Sequence, residues 1–214
     1  MNLELHHFFI LVTPGEKIAE RLSSIGLQEG TRNTHAGQGT SNRRFNFPNG
    51  TLELLWVHDK KEALNGPGRE MYLSERSNEK TASPFGVILN RKDHQTVDMP
   101  FEGWKYQPVY FQPPRAFHIG ANSRNLMEPL CVYMPFIEPG KTTENKDNTS
   151  FGPISKIKIY TPANPISDVL AITGKADRVS IIHGKKHLME LTLNQNKQGY
   201  TKDLRPDLPL IIHW

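Results

Sequence analysis

Three stretches near the start of the chain decide how it is read: His6-His7-Phe8-Phe9-Ile10-Leu11-Val12, His35-Ala36-Gly37-Gln38-Gly39-Thr40-Ser41-Asn42-Arg43 and Asn49-Gly50-Thr51-Leu52-Glu53-Leu54-Leu55. The first lies in an apolar run over residues 3–12 that reads as a strand, and Pro14-Gly15 punctuates its end. The second is a polar, glycine-rich loop. The third reads as a strand that pairs with Arg43–Phe47 across the turn residues Pro48-Asn49-Gly50. Between the first two, Ile18, Ala19, Leu22 and Ile25 recur at the spacing of one helical face, and Gly26 can take the left-handed conformation that ends a helix. The order over residues 1–60 is therefore strand, helix, short extended piece, strand, strand.

Outside that region the pattern loosens and then partly returns. Residues 68–77 read as a short helix and 84–90 as a strand. The apolar runs Val109–Phe111 and Leu130–Ile137 follow, each bounded by proline. The polar run from Glu138 to Ser150 reads as a connector. After it, Ile154–Tyr160 reads as a strand and Ile166–Thr173 as a helix that begins beside Pro165 and closes at Gly174. Arg178–His183 and His187–Asn194 read as a hairpin around Gly184-Lys185-Lys186, and Leu208–Trp214 as a last strand. The recurring order defines a weak internal repeat. Module one covers about 1–60, an intervening segment about 61–150, and module two about 151–214 of a single 1–214 domain.

The three opening stretches together resemble the glyoxalase-like branch of the vicinal-oxygen-chelate superfamily. That branch opens on an Asp-His strand, carries a His-x-Gly-x-Gly-Thr-x-Asn loop and continues into a Gly-x-Leu-Glu-Leu strand. The resemblance covers residues 3–57 well and 154–214 weakly. It implies an α+β fold in which two βαβββ modules form a cupped mixed sheet, here with an irregular, strand-containing insertion between them. It also implies a small-molecule site inside the cup.

Carried over to this chain, the resemblance makes His7 and Glu53 metal ligands, with Glu190 matching the second carboxylate and Lys156 standing where a second histidine is expected. A divalent ion (Mn, Fe, Ni or Zn) is the implied cofactor, and no nucleotide cofactor is expected. Lysine is a poor metal ligand at neutral pH. The alternative is a metal-free site in which Lys156 pairs with Glu53 or Glu190 and supplies the positive charge itself. Glu53, Glu190 and Lys156 are the catalytic candidates, with a glutamate as base. Strand alternation supports part of this, because it places His7 and Phe9 on one face, His6 and Phe8 on the other, and Glu53 with Thr51 and Leu55. For substrate binding the candidates are His35 in the glycine-rich loop, Asn42 and Arg43 for a carboxylate, and Arg115 and His118 in the polar stretch 113–122.

The reaction implied is lyase, isomerase or dioxygenase chemistry on a small oxygenated metabolite. The competing reading is a non-catalytic protein that sequesters a ligand in the same cup.

Composition narrows the remaining classes. The 214 residues are 36% hydrophobic and 22% charged, which suits a globular fold, and the 16 glycines and 16 prolines call for many turns. The net charge of +4 is spread over separated pairs such as Lys60-Lys61 and Lys185-Lys186 rather than a dense stripe, so nucleic acid is not an expected partner. No apolar run reaches the length of a membrane span. The single cysteine, Cys131, excludes an internal disulfide and reads as a buried strand residue. These features lead to an expectation of a cytoplasmic protein with a small-molecule ligand, with homodimerisation left open. Sequence signatures of serine hydrolases, P-loop and dinucleotide-binding proteins and zinc sites built from paired cysteines are missing.

Overall fold

The computed structural model describes residues 2–13, 16–94, 99–139 and 148–214. Strand β1 (Leu3–Leu11) leads to helix α1 (Glu16–Ser24), followed by β2 (Asn33–His35), β3 (Thr40–Phe47) and β4 (Gly50–Val57). The connection to the next part holds α2 (Lys60–Asn65) and α3 (Leu73–Asn78), with a single 3₁₀ turn between them. Strands β5 (Phe85–Arg91), β6 (Gly103–Tyr106), β7 (Phe117–Gly120) and β8 (Leu130–Tyr133) follow. The remainder contains β9 (Ile154–Thr161), α4 (Asp168–Thr173), β10 (Val179–His183), β11 (Leu188–Leu193), β12 (Thr201–Asp203) and β13 (Leu210–His213).

The first module forms as its residues dictate. Helix α1 buries Ala19 and Leu22 completely, with Ile18 and Ile25 packed at the margin of the core. Gly26, at φ +99°, ends the helix. Its N–H reaches the carbonyl of Ser23 (2.9 Å) while that of Leu27 reaches Leu22 (3.2 Å), which is the paired closure of a Schellman motif. The turn at Pro48-Asn49 pairs Phe47 with Gly50, and this fixes the β3–β4 register so that Arg44 stands opposite Glu53. The glycine-rich loop is shorter than expected, because β2 occupies Asn33–His35 and β3 begins at Thr40. The expected stop at Pro14-Gly15 lies outside the described residues.

The cupped mixed sheet is present. It has eight strands in the order β2-β3-β4-β1-β5-β8-β7-β6, and its two halves repeat one pattern about the central antiparallel pair β1–β5. Strand β1 pairs β4 in parallel and β5 pairs β8 in parallel, and each half then continues outward through antiparallel neighbours. The second half of the cup is thus built by residues 85–133. The strands of residues 154–213 make a sheet of their own, in the order β10-β9-β11-β13-β12. Strands β10 and β11 do not form a hairpin. They flank β9, the first parallel to it and the second antiparallel, so the link at Gly184-Lys185-Lys186 steps over the strand between them.

Two apolar layers result. The larger core joins the outer face of the eight-stranded sheet, α1 and the inner face of the five-stranded sheet, through Phe8, Ile10, Leu22, Phe45, Leu54, Val87, Ile157, Met189, Leu191 and Ile212 among others. The smaller one lines the concave face with Phe9, Leu11, Leu55, Met71, Ile88, Tyr106, Ile119, Leu130 and Val132. The link before β8 is held by buried charges. Arg76 donates to the carbonyls of Glu128 (2.6 Å) and Ser123 (3.0 Å). The Glu128 carboxylate accepts from the N–H (2.6 Å) and hydroxyl (2.5 Å) of Ser167, the cap of α4. These bonds tie the two sheets together and satisfy charges that would be costly to bury alone.

Candidate functional site

Strand β1 does not alternate evenly. Its pairing with β5 steps from Leu5↔Leu89 to His7↔Ile88, two residues against one, which is a β-bulge at His6-His7. Leu3 and Leu5 therefore share the larger core with Phe8 and Ile10, while His7 and Phe9 turn into the concavity. The bulge also corrects the expectation that His6 and His7 part to opposite faces. Their rings touch, with Nδ1 to Nδ1 at 2.8 Å.

A concavity that opens to solvent lies between the sheet halves. Its wall carries the polar groups of His7, His35, Gln38, Glu53, Tyr106 and Tyr110. Among them stand Phe9, Leu55, Met71, Leu73, Ile88, Phe117, Ile119, Leu130 and Val132. The two halves differ at one equivalent position. Glu53 projects from β4 at the position where β8, its counterpart in the second half, presents Leu130 and Val132.

Glu53 is 8% exposed, and its partner is the Arg44 guanidinium, with Nε 3.3 Å from Oε1. The Arg44 charge and burial together act on the imidazoles. The pKa of His7 is pushed down to about 3, by burial first and then by Arg44 and His35. That of His6 also falls to about 3, by burial, His7 and the Arg44 and Arg178 charges. His35 is lowered as well, mainly by burial, against an opposing pull from Glu53. All three rings are neutral at physiological pH.

The buried Thr40 hydroxyl lies 2.8 Å from Gln38 Nε2, which donates to it, and 3.0 Å from His35 Nδ1. A hydroxyl has one hydrogen, and donating it to Nδ1 satisfies every group. His35 then carries its proton on Nε2. Burial raises the pKa of Tyr106 to about 12 and also that of Tyr110, so both phenols keep their protons.

The structure brings together three of the sequence candidates, His7, His35 and Glu53. It places the others elsewhere. Glu190 and Lys156 belong to the five-stranded sheet. Glu190 meets Lys158 (3.5 Å) and the Tyr160 hydroxyl (3.2 Å), while Lys156 is exposed opposite Thr192. The ion pairs expected of Lys156 are instead Arg44 with Glu53 and Lys158 with Glu190. Arg43 pairs with Glu29, to which its Nε donates at 2.8 Å, and Asn42 is fully buried with its Oδ1 accepting from the N–H of Asn33. Arg115 is exposed. His118 stacks on Phe101, and its Nε2 lies 2.8 Å from that residue's carbonyl oxygen.

Sequence reading missed Arg44, Gln38, Tyr106 and Tyr110. Arg44 was within reach: the turn at Pro48-Asn49 sets it, not Arg43, across from Glu53. The tyrosines carry no local signal.

The implied metal fits this donor set poorly. Among the described residues, no group of three His, Cys, Asp or Glu side chains is arranged to hold an ion. The second half of the cup offers only hydrocarbon where two further ligands would stand. Arg44 already neutralises Glu53.

Comparison with known proteins returns folds only. No family model matches the chain, and no curated protein matches it. A hypothetical protein from Staphylococcus aureus has a similar structure, with a TM-score of 0.59 at 14% identity, over 98% of each chain. A hypothetical protein from Bacillus halodurans C-125 scores 0.43 at 13% identity, over 66% of this chain and 99% of the other. A methylmalonyl-CoA epimerase in complex with methylmalonyl-CoA and NH4+ scores 0.38 at 9% identity, over 65% of this chain and 99% of its own. The likeness to the Staphylococcus aureus protein extends over the whole chain and concerns the fold alone. Among the described residues no helix is long and apolar enough to cross a membrane.

Proposed function

We propose that this chain is a glyoxalase-like member of the vicinal-oxygen-chelate superfamily that acts on a small oxygenated metabolite. In this reading it catalyses metal-free proton transfer beside a carbonyl, of the isomerase or lyase type. The observation that carries the reading is the convergence in one cup of a buried carboxylate, Glu53, with neutral hydrogen-bond donors at His35 and Tyr106. Glu53 accepts a proton from carbon next to the carbonyl. The donors stabilise the negative charge that then develops on oxygen, and the proton returns to carbon to complete an isomerisation. Arg44 orients the carboxylate from the neighbouring strand. The apolar wall excludes water and receives the rest of the molecule.

That same wall supports a second reading, a protein that holds its ligand without changing it. Solvent-deuterium exchange separates the two. A panel of small ketones, aldehydes and 2-oxo acids is incubated with the protein in D₂O and followed by proton NMR. The wild-type protein should wash deuterium into a bound member of the panel. Glu53→Gln should still bind it and exchange at least about 100-fold more slowly, the usual weight of a general base. Exchange unaffected by Glu53→Gln would remove the carboxylate from the chemistry. Binding without exchange throughout the panel would leave the holding protein.

A further inference from the structure

The Tyr106 side chain is 2% exposed, it forms part of the cup wall, and its hydroxyl has no hydrogen-bond partner among the described residues. A buried phenol normally finds a partner, because leaving one unpaired carries the full cost of taking it out of water. Its ring is fixed between Trp104 and Phe117, with centroids 6.1 and 6.2 Å away, so the hydroxyl cannot swing out to solvent without breaking that stack. The ring borders the cup, so an acceptor that reaches the hydroxyl from inside it would supply the missing partner.

The charge of the wall limits what that ligand is. Among the described residues, no lysine or arginine lines the cup. The carboxylate there, Glu53, is already matched by Arg44 from the adjacent strand. A carboxylate or phosphate placed inside would lie beside Glu53 with no cation of its own, and burying an unpaired anion is prohibitive. A pure hydrocarbon would leave Tyr106 unpaired.

Building on the proposed function, we infer that the ligand of this cup is an uncharged carbonyl compound with an apolar body, and that Tyr106 is the residue that binds its oxygen. The ketone or aldehyde oxygen accepts from the Tyr106 hydroxyl, and the hydrocarbon portion lies against Ile88, Leu130 and Val132.

Three probes of one shape test this by fluorine NMR: para-fluoroacetophenone, para-fluorobenzoate and para-fluoroethylbenzene. Each is titrated into the wild-type protein, Tyr106→Phe, and Ile88→Trp or Val132→Phe to fill the cup. The ketone should bind the wild-type protein on the order of tenfold more tightly than either twin. Tyr106→Phe should lose about tenfold for the ketone and nothing for the hydrocarbon, the weight of one hydrogen bond. The cup-filling variants should bind none of them. A preference for benzoate, or no effect of Tyr106→Phe on the ketone, with the filled cup still blocking, overturns the inference and leaves the cup as the ligand site. Probes that bind the filled variants as well as wild type, or that bind nowhere, overturn both the inference and the proposed function beneath it.

Discussion

Substituting Gly86 by alanine tests whether the cup floor is set by one aromatic ring lying across one glycine. Gly86 in β5 stands directly opposite Phe9 in β1. A Cβ built there would come within 2.0, 2.2 and 2.5 Å of Cε1, Cζ and Cδ1 of the Phe9 ring, where ordinary contact begins near 3.4 Å. The backbone itself does not demand glycine, since Gly86 is not among the residues of positive φ. In a strand, alanine should if anything gain about 0.5–1 kcal/mol over glycine through lower chain entropy. Any loss is therefore steric and belongs to the ring. Phe9 is 6% exposed and packed within the cup cluster, so its retreat either strains that cluster or pushes the ring into the cavity.

Overpacking of this kind costs about 1–3 kcal/mol. For a chain of this size that is a fall of roughly 2–12 °C in melting temperature, read by calorimetry or circular dichroism. Phe9→Leu, which removes the ring, should cost stability alone yet relieve the Gly86→Ala penalty. A double-mutant cycle should then give a coupling of about 1 kcal/mol or more. A Gly86→Ala protein as stable as the wild type, or losses that simply add, would refute the account of the floor.

Acid should destabilise the protein earlier than its carboxylates alone would require. His6 and His7 titrate near 3 in the folded chain against 6.5 when free, so below pH 6.5 the unfolded state binds more protons and stability falls as pH drops toward 3. Each ring contributes a slope of up to about 1.4 kcal/mol per pH unit, and His7→Gln should flatten the acid limb in urea titrations at stepped pH. A limb of unchanged slope would mean the rings are not held neutral by folding. Elemental mass spectrometry on protein purified without chelator should find well under one equivalent of Mn, Fe, Ni or Zn per chain. A stoichiometric metal that disappears in His7→Ala or Glu53→Ala would refute the reading of the cup as a proton-transfer site matched by Arg44 alone.

The parts of the fold legible in the sequence were those set by short-range pattern. The helical face of Ile18, Ala19 and Leu22, the stop at Gly26 and the turn at Pro48-Asn49 each act within a few residues, and the first half of the cup follows from them. From this came the inward aim of Glu53, since alternation near the turn is preserved, while that of His7 follows the alternation that resumes after the bulge.

Pairing between distant strands was not legible. Strands β6, β7 and β8 are four residues each, too short for a period to emerge, so the second half of the cup read as an irregular insertion. The C-terminal strand-helix-strand order looked like the repeat because the order of elements does not record which strand lies beside which. The run 178–194 has the spacing of a hairpin and instead straddles β9. Glu190 and Lys156 were drawn into the site by that same repeat, and their sheet keeps them from it. Tyr106 gave no sign at all, because its importance rests on what its hydroxyl lacks after folding.

The bulge in β1 gives the strand an unusual arithmetic. Take His6 out of the count, and Leu3, Leu5, Phe8 and Ile10 fall on one face in strict alternation, with Glu4, His7, Phe9 and Leu11 on the other. The strand thus keeps time as though one residue were spliced in without shifting the beat. The spliced residue is the one whose Nδ1 touches that of the inward-facing histidine. Local insertion leaves the two apolar layers in phase while giving the cup's first-strand imidazole a neighbour that plain pleating would have sent to the far side. The position left out of the strand's register is therefore the one that sets a second ring edge-on against the cup's first-strand imidazole.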